Sequence, residues 1–468
     1  MRREAIGMTV CLRARCLVVL LPLPIVLTAS LTAQAQQVDV ARVKVRLVDY
    51  QGPATFSVQS LDKRSLQIDV DPRSERRSLT LGVELPGGVQ TTWAADVEVV
   101  DARGRAIPAR HIGVEWHKFS VVVPAQRGTY VVRVVEPPEG LAQVFADQAR
   151  EATEPQTGLC AAILKWYDGR TAALSIRFDD SHPSHVSKVI PILREYGFRG
   201  TFMVCPGPRE ANSRRRSAFE DHRAEWEAVA QRGDQEFANH SAHHRGATGD
   251  EDMEREIGEA SQAIWELFPG KSKLLALNLG GGTTWETTRT LRYYLQKYHL
   301  FDSSGSLGMD DVYGDRPAAF RTHLERHIER GLWCRIHYHS VGEKLGASEA
   351  NFRAALDIAQ QHASEVWIAG MADIHKYQTE RLSAKLEIAA ESARRVRLKL
   401  SCFTDPKLYD QSLTIEVALP PAWSTNQVQV KTTAVGEAAV PVVCVGEGKA
   451  LRFHAPPITA EYVIEKAM

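Results

Sequence analysis

From Val38 to about Val135 apolar and polar residues alternate with period two in short runs, among them VKVRLV, SLQIDV, SLTLGVEL, ADVEVV, FSVVV and TYVVRVV. Strand side chains point alternately to opposite faces, so these runs, broken by Gly, Pro and Asp, predict an antiparallel β-sandwich over residues 36–136. A polar stretch with Pro137, Pro138 and Pro155 predicts a linker over 137–159. The pattern then changes. ALSIRF is followed by the helical VSKVIPILREYG, then by GTFMVC, AEWEAVAQRG and QEFANH. Strands alternating with helices predict parallel pairing through crossover helices. The alternation continues through a helix over 254–268, the strand KLLALNL, a helix over 287–298, the strand LWCRIHYH, a helix near 350–362 and the strand EVWIAG. The reading is an α/β domain over 160–385, a distorted (β/α) barrel of about seven parallel strands. Period two returns in RVRLKLSCF, SLTIEVAL, QVQVKTT, PVVCV, ALRFHA and AEYVIEK, which predicts a C-terminal antiparallel β-sandwich over 395–468. No internal repeat is visible, and the two flanking domains look alike only in class.

The N-terminus reads as a targeting segment. Arg13 and Arg15 precede an apolar run from Leu17 to Leu27, and Ala33-Gln34-Ala35 supplies a small-x-small cleavage pattern. Residues 1–35 are expected to be a signal peptide, giving export to the periplasm or beyond with a mature start near Gln36. The run is well short of the ~20 residues a membrane span needs, and Pro22 and Pro24 interrupt it. No transmembrane segment is expected in the mature chain.

Composition narrows the partners. The 57 Lys plus Arg balance the 57 Asp plus Glu, so no net field draws the chain to nucleic acid or an anionic membrane. A neutral partner fits better. Cys11 and Cys16 fall in the targeting segment, and Cys160, Cys205, Cys334, Cys402 and Cys444 form an odd, scattered set without a C-x-x-C pair. Neither a disulfide framework nor a zinc knuckle is indicated, although a single Cys402–Cys444 bridge remains open.

Three strand ends carry candidate chemistry. SIRFDDSHPSH places Asp179 and Asp180 side by side where an apolar strand opens into a loop. At the mouth of a barrel both can reach one cavity, one binding metal while the other accepts a proton; alone, the pair reads more readily as a solvated helix cap. EFANHSAHH places His240 and His244 four residues apart, a common metal pair, with His243 able to substitute for either. WCRIHYHSVGE ends a strand on His339, where a catalytic group belongs, with His337 two residues deeper.

Taken together, these strand ends resemble the polysaccharide deacetylase family, the NodB-homology or carbohydrate esterase family 4 domain. Arg177-Phe178-Asp179-Asp180-Ser181 is similar to its T-F-D-D-G motif, and His240-Ser241-Ala242-His243-His244 to its H-[ST]-x-x-H motif. His339 stands for its last histidine, and IPILREYGFRGTFMV and VWIAGMADIHKYQTER also look like family segments. The resemblance covers roughly 220 residues. It implies Asp179 as general base, Asp180, His240 and His244 as ligands of a divalent metal, and His339 as general acid. The ligand set prefers Zn2+, and Co2+ or Ni2+ would fit. The implied partner is an acetylated glycan, either an N-acetylhexosamine polymer or an O-acetylated polysaccharide.

The chain departs from the family at its third motif, R-x-P-Y-G, where LLALNLGGGTTW has neither arginine nor proline. Gly280, Gly281 and Gly282 are candidates for an oxyanion N–H, and Trp285 for a sugar-stacking ring. Arg177 is a candidate to replace the missing guanidinium, and Asp302 to orient His339. Two further readings stand beside the deacetylase: a glycan-binding pseudoenzyme, and an amidase acting on a non-carbohydrate amide. Neither the exact glycan nor the oligomeric state is set by the sequence.

Overall fold

The computed structural model describes residues 37–467 apart from 41–42, 49–53, 63–64, 73–75, 86–96, 108, 112–117, 135–146, 208–217, 281–282, 290, 304, 344–345 and 434–437. The signal-peptide expectation therefore lies outside the described residues. The chain divides into two compact units, residues 1–107 with 121–135 and residues 108–120 with 136–468. Among the described residues no helix is long and apolar enough to cross a membrane.

The expected N-terminal strands form β1 (Gln37–Val40), β2 (Val43–Val48), β3 (Ala54–Ser60), β4 (Ser65–Pro72), β5 (Ser78–Glu84), β6 (Val97–Asp101), β7 (Ala106–Ile107), β8 (Ala109–His111), β9 (Lys118–Pro124) and β10 (Gly128–Val134). They make two five-stranded sheets, ordered β1-β2-β5-β9-β8 and β3-β4-β10-β6-β7. Alternation does what the sequence requires: Val43, Val45 and Leu47 on β2, and Leu66, Ile68 and Val70 on β4, are buried while their neighbours are not.

The stretch expected as a linker holds structure. β11 (Glu151–Thr153) pairs with β12 (Cys160–Ile163), and β12 pairs with β23 (Leu413–Ala418). The chain thus starts its C-terminal sandwich before it enters the barrel, and residues 160–163 belong to the former. The central strands follow as β13 (Ala172–Phe178), β14 (Thr201–Val204), β15 (Glu236–Asn239), β16 (Leu275–Leu277), β17 (Leu300–Asp302), β18 (Leu307–Gly308), β19 (Trp333–Tyr338) and β20 (Val366–Ile368). All are paired in parallel in the order β17-β16-β15-β14-β13-β19-β18, with β20 also on β13. The two-residue β18 adds one to the expected seven. β13 is buried at every position, as a parallel strand covered on both faces must be.

A flat sheet in that order would hold its edges ~29 Å apart, six strand spacings of about 4.8 Å. Yet β17 and β18, at opposite edges, are joined by residues 303–306, which can span ~18 Å at most. The sheet must therefore curl into a distorted barrel.

The helices are α1 (Ile190–Tyr196), running on from a π turn at His185–Val189, α2 (Ala218–Asp221), α3 (Arg223–Arg232), α4 (Asp250–Leu267), α5 (Leu291–Lys297), α6 (Arg316–Arg330), α7 (Glu349–Gln361) and α8 (Met371–Leu382). On α4, Met253, Ile257, Ala260 and Ile264 recur at helical spacing and are buried. α6 and α8 were not anticipated. Only Phe320 and Leu324 are buried on α6, a stripe too thin to read, but the Asp315 side chain caps it by accepting from the Ala318 N–H.

The chain then completes the second sandwich with β21 (Ala384–Ser392), β22 (Arg395–Cys402), β23, β24 (Val428–Thr432), β25 (Ala438–Ala439), β26 (Val443–Val445), β27 (Ala450–Ala455) and β28 (Ala460–Lys466). β21 precedes the expected start at 395. The sheets are β11-β12-β23-β27-β26 and β21-β22-β28-β24-β25. Counting only this sandwich's ten strands in chain order gives 1-2-5-9-8 and 3-4-10-6-7, the order of the first sandwich. Register agrees as well. Tyr130 pairs with Ile68 and Asp101, and Tyr462 with Leu398 and Thr432, at corresponding strand positions. Leu47 opposite Leu81 corresponds to Ile163 opposite Ile415. The expectation of likeness in class alone is corrected: the two sandwiches share one topology, and the barrel is inserted between the second and third strands of the second. β11, β12, β21 to β24, β27 and β28 share one core that also takes in Tyr377 of α8, whose hydroxyl donates to the Leu164 carbonyl.

All five described cysteines are free, so the Cys402–Cys444 bridge is not formed: Cys402 is buried on β22 and Cys444 is exposed on β26.

Candidate active site

The motif residues sit where β13, β15 and β19 end, at the mouth of the curled sheet, where side chains from different strands can converge. Asp180 Oδ1 lies 3.2 Å from His240 Nε2 and 3.5 Å from His244 Nε2. These three residues offer ligand atoms all within 4.8 Å of one another. His240 Nδ1 donates to the Asn278 carbonyl at 2.7 Å, because a carbonyl can only accept. When the ring is neutral, this leaves the Nε2 lone pair turned toward Asp180, the tautomer a metal ligand needs. The ambiguity over His243 is resolved, since its ring is turned to Glu256, Nδ1 to Oε1 2.9 Å, away from the other two. A carboxylate, an imidazole whose Nδ1 is held by a carbonyl and a second imidazole four residues on make a donor set that fits a divalent cation.

The backbone is bent to bring these groups together. Asp180, Ser181, Ser241 and His244 all have positive φ, of 74°, 52°, 65° and 51°, each costing about 1 kcal/mol or more for a residue with a Cβ. Local hydrogen bonds hold the bend: Ser181 Oγ accepts from the Cys205 N–H, Ser241 Oγ from the His244 N–H and Asn239 Oδ1 from the Ser241 N–H. Asn239 is itself fixed by donating to the Ile257 carbonyl and Ser261 Oγ. Gly280, φ 73°, is the glycine this site demands, since a Cβ there would lie 2.2 Å from His244 Nε2. Its N–H, however, donates to Asn278 Oδ1 at 2.8 Å and is not free for an oxyanion. Gly281 and Gly282 lie outside the described residues.

Arg177 and Asp179 are two residues apart on one face of β13, and an Arg177 Nη2 bond to Asp179 Oδ2 of 2.8 Å joins them in the interior. Burial alone would raise the Asp179 carboxyl, but Arg177, then His240 and His337, more than offset it and hold it below the usual range. Oδ1 of Asp179 is buried without a hydrogen-bond partner among the described residues. For Asp180 burial is likewise outweighed, by the hydrogen bond and charge of His240 with help from His244 and His339, so it too is held well below normal. Both carboxylates are ionised.

His339 Nδ1 meets Asp310 Oδ2 at 2.5 Å, and Asp310 Oδ1 also accepts from the His339 N–H. The hydrogen bond to Asp310 raises the imidazole above its ordinary value in spite of partial burial. The orienting acid is therefore Asp310 and not Asp302, which is exposed at the end of β17. Asp310 was missed because it follows the two-residue β18; the adjacent acids of GMDDVYG were the available signal. His337 is second to the site, its Nδ1 2.9 Å from Ser306 Oγ, with burial and Arg177 pushing it down to about 4. His185, also missed, is fully buried with Nε2 2.6 Å from the His339 carbonyl.

Trp285 does not present a ring to a sugar. It is buried in the barrel core and packed under the loop through a bridge to Ala247. Trp423, half-buried, packs against the C-terminal core, and Trp93 and Trp116 lie outside the described residues.

Residues 167–299 match the family model described as polysaccharide deacetylase. A gellan lyase from Bacillus sp is 22% identical over 334 residues, covering 63% of this chain; the chain spans 13% of that protein's length. Among solved structures, a family 4 carbohydrate esterase from Streptomyces lividans is 22% identical, with a TM-score of 0.33, covering 43% of this chain and 94% of its own. A peptidoglycan deacetylase from Bacillus subtilis is 14% identical, with a TM-score of 0.31, covering 45% and 93%. The matched stretch contains Asp179, Asp180, His240 and His244, so the part of the chain that carries the candidate site is similar to the polysaccharide deacetylase family.

Proposed function

We propose that this chain is an exported, divalent-metal-dependent hydrolase that removes acetyl groups from an acetylated carbohydrate, either an N-acetylhexosamine polymer or an O-acetylated polysaccharide. The observation that carries the reading is the approach of one Asp180 oxygen to the Nε2 atoms of both His240 and His244. These three residues would hold the cation, Zn2+ by its preference for such ligands, with Co2+ or Ni2+ also suited. When bound, such a cation supplies Lewis acidity, acidifying water and polarising an acetyl carbonyl.

The protein groups divide the proton chemistry. Asp179 is the general base: Arg177 occupies Oδ2 and fixes the carboxylate plane, leaving the unpartnered Oδ1 to take a proton from the attacking water. Arg177 thereby does from β13 what the third-motif arginine does in the family. His339 is the general acid and donates to the leaving amine or alcohol as the bond to the acetyl carbon breaks. Asp310 positions its ring and keeps it protonated to higher pH.

The test is acetate release from a panel of acetylated glycans by the wild type and by Asp180→Ala, each with and without chelator. Release from at least one glycan that chelator and Asp180→Ala both abolish is expected. Chelator-insensitive release would remove the metal from the reading. The occupied Gly280 N–H favours the alternative of a glycan-binding pseudoenzyme, which calls for glycan retention and no acetate from any substrate.

A further inference from the structure

Besides the mouth cluster, one other group of metal-competent side chains occurs among the described residues: His323, His327 and Cys334, whose ligand atoms all lie within 4.8 Å of one another. It is built on the opposite end of β19 from His339. Cys334 is the second residue of that strand, five residues and roughly 16 Å before His339. Its side chain alternates away from Arg335 and His337, into the layer between sheet and helices.

His323 and His327 are one turn apart on α6, so they share a helix face, and their ring centroids are 4.2 Å apart. The turn that follows sets the cysteine beneath them. Gly331 takes φ 61°, its N–H donates to the Ile328 carbonyl, and the Leu332 N–H donates to the His327 carbonyl at 2.8 Å. This is a helix stop with two crossed bonds that returns the chain directly into β19. His327 Nδ1 donates to the His323 carbonyl at 2.7 Å, which leaves the lone pair on Nε2.

We propose that His323, His327 and Cys334 form a second metal site, a His2Cys set for a thiophilic divalent cation of the Zn2+ kind. Two imidazoles and a thiolate suit such an ion and leave one tetrahedral position for water on the side where the histidines are half-exposed. Binding replaces the thiol proton: the S–H bond of Cys334 breaks, its electron pair forms the sulfur–metal bond, and the proton leaves to solvent. The bound ion would pin the end of α6 to the start of the strand whose far end carries the general acid. This site is independent of the reading given for the mouth.

Cobalt separates the two sites, since only this one contains sulfur. Full-length protein stripped with chelator is titrated with Co2+ and followed for a thiolate-to-cobalt charge-transfer band. The band is expected in the wild type and in Asp180→Ala, and it is expected to vanish in His323→Ala and His327→Ala, with far-ultraviolet circular dichroism unchanged. Cys334→Ser also abolishes it, but that position is fully buried, so the two histidine variants on the helix surface decide. Absence of the band in wild type overturns the proposal. So does a band that survives both histidine substitutions, which would assign it to another of the cysteines.

Discussion

The two β-sandwiches share strand order and register, yet one passes from its second to its third strand through residues 49–53 and the other through residues 164–383. The same scaffold is bare in one case and interrupted by a whole α/β domain in the other. Insertion at such a link is tolerated when the ends of the insert lie close together. The second sandwich adapts to its guest: Tyr377 of α8 enters its core, Arg381 donates to the Ile163 and Leu164 carbonyls, and Arg452 donates to the Asp168 carbonyl. Strand order thus sets the scaffold, and the candidate site lies wholly within what interrupts it.

The largest expected effect separates chemistry from scaffold. Asp180→Ala should lower acetate release about 1000-fold or more, the worth of several kcal/mol of Lewis-acid stabilisation, while the melting profile stays near that of wild type. Collapse of the fold instead would mean that the mouth is part of the scaffold. Next come two matched core deletions, Ile68→Ala in the first sandwich and Leu398→Ala in the second. Each should cost about 2–5 kcal/mol by calorimetry. Only Leu398→Ala, in the core shared with Tyr377, should lower the temperature at which activity is lost. An equal loss of heat-stable activity in both would break the distinction between bare and occupied copies.

Asp310→Asn should reduce turnover by up to about 100-fold and leave both sandwiches intact. The direction with pH follows from sign. Asp310 raises His339, so removing its charge lets the imidazole lose its proton sooner, and the basic limb of the rate profile should move to lower pH. A group raised on folding stabilises the protein below its unfolded value near 6.5 and loses that contribution as pH climbs through the folded value, so any stability gained from this pair also fades toward alkaline pH. The smallest effect is expected for Tyr377→Phe, about 1–2 kcal/mol, from loss of its bond to Leu164 and an unmet Thr414 N–H. It should appear in the melting of the second sandwich and not of the first.

The parts of this molecule that could be read in advance are local ones. Period-two runs marked the strands, and adjacent aspartates and the His-x-x-x-His spacing marked the residues that come together as Asp180, His240 and His244, because each motif is contiguous. What escaped depends on distant partners. Cys160 pairs with Ala418 and Asp310 reaches His339 from the neighbouring strand, 29 residues away in sequence, so neither relation leaves a trace in the neighbouring residues. Trp285 was misplaced for the related reason that an aromatic beside a glycine run looks alike whether it faces a ligand or a core. The repeat stayed hidden because it is kept as strand order and pairing, with little identity between sequences to betray it.

The four residues that join β17 to β18 also bear on solubility. An open parallel sheet leaves rows of unsatisfied amides along its margins, an invitation for foreign strands to add on. Here the margins are three residues at β17 and two at β18, drawn toward each other by the link, and the Ser303 carbonyl within it already accepts from Arg177. The same short tether that rounds the sheet thereby leaves almost nothing for an aggregating chain to copy.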